Sequence, residues 1–253
     1  MKIVFNDIFF NSEYIKDSAS EPGRMEAIMD TIKDESNYQI IENPPAEECD
    51  ILRVHHADYV KGIKSQHELY NMALLSAGGA IKASQIAIDD EPAFACIRPP
   101  GHHAYRASGW GYCYFCNMAI ALKKLREEGR ISSAFILDFD AHTGDGTKDC
   151  LSDWREVNIL NPMAEDRDEY IRQFEKHISN LDYVDIIAVN AGFDIYEKDV
   201  GRKLTTFEFY RMGYCLKLLS KKMGHNRRFA ILEGGYYLPD LGKNVLSFCQ
   251  GFE

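Results

Sequence analysis

The sequence lacks three features that would each restrict its function. It has no apolar run near the roughly 20 residues that a membrane span needs, so we expect no membrane partner. It has no excess of basic residues, because its net charge is −10 and its pI is near 5.3, which argues against binding nucleic acid. Its seven cysteines are scattered, and its N-terminal segment has no signal-peptide pattern, so a disulfide framework is not expected. We therefore expect a cytoplasmic protein.

Short apolar, β-rich segments alternate with helical segments along the whole chain, and 253 residues fit one domain, 1–253. The predicted strands are 2–5, 93–97, 134–140, 157–160, 185–190 and 229–232. The predicted helices are 24–35, 56–66, 69–89, 117–129, 166–180, 206–222 and 241–250. Nearly continuous apolar strands that alternate with helices predict an α/β fold of three layers, with a mostly parallel sheet covered by helices on both faces.

Four of the predicted strands run directly into polar residues. The strand 93–97 leads to His102 and His103, and the strand 134–140 leads to His142. The strand 185–190 leads to Asp194, and the strand 229–232 leads to Tyr236. Because ligands bind at the carboxyl ends of parallel strands, we expect these side chains to share one crevice.

The segment around the second of these strand ends has the composition of a metal site. Asp138, Asp140 and His142 alternate along an extended segment and so share one face. One Asp and one His from this segment, with Asp194, would give three ligands and leave a position open, as in catalytic zinc sites. Asp138 would then orient a neighbouring group. The structural alternative is a hydrogen-bonded Asp/His pair at the end of a strand.

The pair His102-His103 follows a Pro-Pro-Gly turn, which restricts the backbone and directs the rings into the crevice. Imidazole is suited to taking a proton from water and returning it to a leaving amine. Asp138 and Asp145 are available to orient the two rings. Tyr236 follows two glycines, and its phenol is a candidate donor to a developing oxyanion.

Taken together and in order, these segments resemble the histone deacetylase superfamily, which includes the acetylpolyamine amidohydrolases. The matching segments are 21–24 (EPGR), 98–104 (RPPGHHA), 111–115 (GYCYF), 137–142 (LDFDAH), 144–147 (GDGT), 191–194 (AGFD) and 232–236 (LEGGY). Two details, Gly111-Tyr112-Cys113 and the residues that follow Tyr236, are most similar to the acetylpolyamine amidohydrolases.

The resemblance implies the arginase/deacetylase fold and a catalytic zinc ion. Fe²⁺ suits the same ligands. It implies that the metal ligands are Asp140, His142 and Asp194. It also implies the pairs His102–Asp138 and His103–Asp145, a carbonyl-polarising Tyr236, and a substrate channel walled by Gly111 and Tyr112. Family members often bind a monovalent cation, so the resemblance also implies a K⁺ beside Asp138.

The sequence departs from the family pattern at three places. Thr143 stands where a second histidine is usual, and we expect altered packing with retained metal binding. Leu151 stands about where an aromatic channel wall is usual, so we expect a less aromatic substrate-binding channel. The segment 56–78 is short, and His67 or Glu68 is a candidate to replace the missing rim loop.

The expected function is removal of acetyl groups from acetylated amines, of the N-acetylpolyamine or acetyl-lysine type. One alternative is a binuclear manganese ureohydrolase, because Asp140-Ala141-His142 also resembles the arginase Asp-Ala-His segment. That family needs a second carboxylate two residues from Asp194, which this sequence lacks. The other alternative is a non-catalytic protein that binds acetylated ligands. The substrate, the native metal and the oligomeric state stay open.

Overall fold

Seven strands form a single sheet in which every neighbouring pair is parallel. The computed structural model describes residues 1–253. The spatial order of the strands is β2-β1-β3-β7-β6-β4-β5. The strands are β1 (Lys2–Val4), β2 (Gln39–Ile41), β3 (Ala93–Ala95), β4 (Ala134–Asp138), β5 (Val157–Leu160), β6 (Ile186–Ala191) and β7 (Arg228–Leu232).

Nine α-helices cover the sheet, and the predicted three-layer α/β/α architecture with a parallel sheet is confirmed. The helix α4 packs on β1, β3, β7 and α5, whereas α8 packs on β6 and forms a second group with α1 and α9. The helices are α1 (Arg24–Ile32), α2 (Glu48–Leu52), α3 (Ala57–Lys64), α4 (His67–Ile88), α5 (Asn117–Glu127), α6 (Asp145–Cys150), α7 (Arg167–Ser179), α8 (Thr206–Lys222) and α9 (Leu238–Phe252). No helix is both long enough and apolar enough to span a bilayer.

The central strands are fully buried, as their continuous apolar composition predicts. Every residue of β3, β4, β6 and β7 is buried, and one connected apolar core of 74 residues surrounds them. The edge strands β2 and β5 are partly exposed. The four buried strands are adjacent in the sheet, so their carboxyl ends meet at one place.

Three elements were not predicted from the sequence: β2, α2 and α6. All three are only three to six residues long. β2 also lies at an edge, with two of its three side chains exposed. Patterns of hydrophobic residues identify elements in which the pattern repeats several times, and such short segments span fewer than two periods.

Two helical glycines have opposite surroundings, and this contrast yields a test of the packing. A Cβ added at Gly78 of α4 would lie 2.0 Å from the Pro44 carbonyl oxygen, whereas a Cβ at Gly62 of α3 would meet nothing within 4 Å. We expect Gly78→Ala to lower the free energy of unfolding by roughly 1–3 kcal/mol, because the backbone must shift. The matched control Gly62→Ala is expected to raise it by about 0.5–1 kcal/mol. Urea unfolding measures both, and equal effects would contradict the packing described.

Candidate active site

The carboxyl ends of β3, β7, β6 and β4 open into a cleft of about 560 Å³. Residues from the segments after all four strands line it, together with Ser18. The lining residues are Ser18, Pro100, His102, His103, Trp110, Gly111, Tyr112, Asp140, His142, Val200, Gly234 and Tyr236. A larger groove of about 800 Å³ runs along β5 and α7, but no predicted site residue lines it.

Asp140, His142 and Asp194 bring their ligand atoms within 4.8 Å of one another at the floor of this cleft. The His142 Nδ1 atom lies 3.1 Å from the Asp140 Oδ1 atom and 3.2 Å from the Asp194 Oδ2 atom. Backbone amides hold both carboxylates: Gly234 N donates to Asp140 Oδ2 at 3.0 Å, and Ala141 N donates to Asp194 Oδ1 at 2.9 Å. The three donor groups are therefore fixed and directed at a common point.

The donor set fits a divalent metal ion. The Asp194 Oδ2 atom is buried and accepts no hydrogen bond within the protein. Burial and the neighbouring charge of Asp140 raise the pKa of Asp194 to about 7, because two buried carboxylates repel each other. Carboxylate oxygen and imidazole nitrogen are ligands that zinc takes, and three of them leave one position open.

The first of two His–Asp pairs, His102–Asp138, lies in the protein interior. The His102 Nδ1 atom donates to Asp138 Oδ2 at 3.2 Å, and Asn190 Nδ2 donates to the same oxygen at 3.0 Å. Burial opposes a charge on His102, but the Asp140 and Asp138 carboxylates outweigh it and raise the pKa of His102 well above its usual range. His102 is therefore the more basic of the two adjacent imidazoles.

The second pair, His103–Asp145, lies closer to solvent. The His103 Nδ1 atom donates to Asp145 Oδ1 at 2.7 Å, and the Asp145 side chain is 31% exposed. Burial, followed by the adjacent His102, lowers the pKa of His103. The rings of His102 and His103 have centroids only 4.0 Å apart. A neutral imidazole with an occupied Nδ1 has its Nε2 free to accept a proton.

Tyr236 and Tyr112 face each other across the cleft, with ring centroids 6.3 Å apart. The Arg24 guanidinium lies 5.6 Å from the centroid of the Tyr236 ring, and Asp199 Oδ2 accepts the Tyr236 N–H at 2.6 Å. Burial raises the pKa of the Tyr236 phenol, so its hydroxyl stays protonated and available as a donor. Tyr112 has a φ of +67° and is 38% exposed.

The Glu233 carboxylate anchors the loop that carries the two histidines, a role that the sequence analysis did not assign. Its Oε2 atom accepts the N–H groups of Gly101 at 2.8 Å and His102 at 3.1 Å. Burial is the main cause that raises the pKa of Glu233 to about 7. On the other side of the loop, Ser76 Oγ donates to the Pro99 carbonyl oxygen at 2.7 Å. The signal in the sequence was an acidic residue at the end of a buried strand.

The structure does not bring Leu151 to the cleft. Residues 145–150 form α6, which was not predicted, and Leu151 follows that helix with its side chain in the core and 2% exposed. Val200, which is 60% exposed, and Trp110 line the cleft instead, although the sequence analysis singled out neither. His67 and Glu68 begin α4 outside the cleft.

The chain is similar to a known protein family over much of its length. The model of the histone deacetylase domain matches residues 18–162, which is more than half of the chain. The chain belongs to the histone deacetylase family. By this membership it is a hydrolase of the deacetylase type.

Relatives of this deacetylase-family chain cover most of its length. A probable deacetylase of Archaeoglobus fulgidus is 29% identical, with 97% of this chain and 86% of the relative aligned. Acetylpolyamine amidohydrolase 2 of Pseudomonas aeruginosa is 28% identical, over 67% of this chain and 58% of the relative. The crystal structure of the HDA15 HD domain has the same fold, with a TM-score of 0.87 and 20% identity over 100% of this chain and 90% of that one.

The departure from the family pattern at Thr143 leaves the three candidate metal ligands close together. The Thr143 hydroxyl donates to the Met163 sulfur at 3.7 Å, and both side chains lie at the surface. The candidate ligands Asp140, His142 and Asp194 still converge beside it.

A buried histidine joins the two ends of the loop that carries the Trp110 and Tyr112 walls. The His55 Nδ1 atom donates to the Tyr105 carbonyl oxygen, and its Nε2 atom accepts the Cys116 N–H, both at 2.9 Å. Protonation of His55 would therefore remove the acceptor that Cys116 N–H needs. Burial lowers the pKa of His55 to about 4.

This depressed pKa predicts a loss of stability in acid. An unfolded histidine has a pKa of about 6.5, so between pH 6.5 and 4 the unfolded chain binds a proton that the folded protein excludes. The free energy of unfolding should therefore fall by roughly 3 kcal/mol over that window because of His55. We expect His55→Gln to flatten this pH dependence relative to the wild type, and the exposed neighbour variant His56→Gln to leave it unchanged. Urea unfolding from pH 7 to pH 4 measures the slopes, and parallel curves for wild type and His55→Gln would contradict the assignment.

Proposed function

We propose that the protein is a zinc-dependent amidohydrolase that removes the acetyl group from a small acetylated amine and releases acetate. One observation carries the proposal. Asp140, His142 and Asp194 converge at the floor of a cleft that the two His–Asp pairs and Tyr236 also adjoin. Family membership supports deacetylation as the reaction, and the geometry supports the assignment of roles to particular residues.

Asp140, His142 and Asp194 would hold the metal ion. When bound there, zinc supplies Lewis acidity to the amide carbonyl and lowers the pKa of the attacking water. Fe²⁺ suits the same ligands. A monovalent cation beside Asp138 stays a prediction from the family resemblance.

The side chains around the metal ligands supply the proton transfers. His103 accepts the proton of the attacking water at Nε2, since its Nδ1 donates to Asp145, which stabilises the imidazolium that forms. Tyr236 donates its hydroxyl to the oxygen that becomes negative as the water attacks. The His103 imidazolium then returns the proton to the departing amine. His102, held by Asp138, fixes the neighbouring ring at 4.0 Å.

The cleft mouth favours a slender substrate. Trp110, Tyr112 and Val200 surround it with apolar surface, which suits a methylene chain. The negative net charge of the protein favours a substrate that carries a distal ammonium group. A relative named acetylpolyamine amidohydrolase supports the same class. We therefore infer acetylated di- or polyamines as the substrates, with acetyl-lysine in proteins as the second candidate.

Zinc binding is predicted at one equivalent per chain. Asp194→Asn should weaken zinc affinity by more than about 100-fold, because it removes a charged ligand. Mutation of a residue that only orients a ligand typically weakens metal affinity by about 10–100-fold. The control Asp182→Asn makes the same change at an exposed position outside the cleft and should bind zinc normally. Calorimetric titration and elemental analysis measure both. Two equivalents of manganese in the active wild type would favour the binuclear ureohydrolase instead.

Tyr236→Phe is expected to lower kcat by about 10²–10³-fold, because it removes one donor to the oxyanion. Its zinc content should equal that of the wild type. The adjacent Tyr237→Phe is the matched control, since Tyr237 does not line the cleft.

The assay compares acetylputrescine, acetylspermidine and an acetyl-lysine peptide, and we expect the acetylated amines to have the higher kcat/KM. Normal turnover by Tyr236→Phe would refute its role, and a zinc-loaded wild type that binds but turns over none of the three would refute catalysis.

A further inference from the structure

The two His–Asp pairs differ in what holds their carboxylates. In the interior pair, the Asp138 side chain is inaccessible to solvent and is fixed by Asn190. In the outer pair, the Asp145 side chain is 31% exposed. Solvent competes for the hydrogen bonds of an exposed carboxylate. The His103 ring and the Gly146 N–H both donate to the Asp145 Oδ1 atom, so the Oδ2 atom needs a further contact to hold one orientation.

Trp110 supplies that contact and also covers the histidine. Its Nε1–H donates to the Asp145 Oδ2 atom at 3.2 Å, while the other oxygen of the same carboxylate accepts from His103 at 2.7 Å. Its indole stacks on the His103 imidazole, with ring centroids 3.8 Å apart and an interplanar angle of 30°. Indole, carboxylate and imidazole therefore form a closed set of three mutual contacts.

The loop around Trp110 is shaped for this stack. Gly111 has a φ of +55°, and a Cβ at that position would lie 2.6 Å from the His103 Cδ2 atom. The Cys113 N–H closes a tight turn on the Trp110 carbonyl oxygen at 3.0 Å, and a backbone bridge pairs Ala104 with Gly109. The absent side chain at Gly111 lets the loop approach the imidazole closely, and the turn fixes where the indole lies.

From these contacts we infer that Trp110 is a positioning residue for the reaction: it locks the His103–Asp145 pair in the orientation that proton transfer needs. This inference rests on the proposed deacetylation. The family resemblance assigns no role to Trp110. Trp110 acts through His103, so its loss affects the rate of the chemical step more than the binding of substrate.

A graded series of variants separates the two contacts. Trp110→Phe keeps an aromatic ring over His103 but loses the N–H donor, and Trp110→Ala loses both. We expect kcat to fall by about 3–10-fold for Trp110→Phe and by roughly 10–100-fold for Trp110→Ala, with a smaller rise in KM because the indole also lines the mouth of the cleft. The control is Trp154→Phe, which removes the only other indole, a buried group that donates to the Ser132 carbonyl oxygen and does not line the cleft.

A second measurement reports the stack without turnover. In histidine-labelled protein, the stacked indole should shift the His103 ring protons upfield in the NMR spectrum. We expect the shift to be lost in Trp110→Ala and partly kept in Trp110→Phe, with zinc content unchanged. The signal is assigned by its absence in His103→Asn.

The kinetic and NMR results either support or overturn the inference. A fall in kcat that exceeds the rise in KM, together with the loss of the ring shift, supports the inference. A rise in KM with unchanged kcat would show that Trp110 is only a wall of the channel. Unchanged kinetics, or a fall in kcat that is matched by a lower Tm, would also overturn the inference. If the wild type turned over no acetylated amine, the proposed function would fail, and an unaltered His103 signal in Trp110→Ala would refute the positioning contact independently.

Discussion

Four carboxylates are buried at the carboxyl ends of adjacent strands, and the rest of the active site stabilises their negative charge. Asp138, Asp140, Asp194 and Glu233 converge because parallel strands end at the same edge of a sheet. Burying anions is costly unless hydrogen bonds and positive charges surround them. Backbone amides donate to all four, and imidazoles adjoin three of them. That crowding is the physical basis of the metal site proposed at this edge of the sheet.

The same crowding moves apart the pKa values of two imidazoles that are adjacent in the sequence. His102 lies against Asp138 and Asp140, and these charges raise its pKa, whereas burial and then the neighbouring His102 lower the pKa of His103. Groups in one site whose pKa values are moved apart are able to take different roles in proton transfer. The chemistry of the cleft therefore depends on which carboxylate faces which ring, and this is set by the depth of each residue below the cleft mouth.

The sheet and the convergence of the metal ligands could be predicted from the sequence, because buried parallel strands have continuous apolar patterns and each polar cluster follows such a strand. The sequence alone could not predict the surroundings of the cleft. Leu151 was expected in the channel because it stands about where the family usually has an aromatic channel wall, but the short helix α6 turns its side chain into the core. Trp110 was overlooked because its contacts depend on a tight turn over His103. Glu233 has partners more than 130 positions away along the chain, and no local pattern reveals them.

The placement of the two tryptophans has an optical consequence. The chain has only these two. Trp154 is 2% exposed and packs against Arg126, whereas Trp110 is 50% exposed at the mouth of the cleft. A hydrated indole emits at longer wavelength than a buried one. The long-wavelength part of the native emission therefore comes from the cleft itself, so the protein contains its own fluorescent reporter of what enters and leaves.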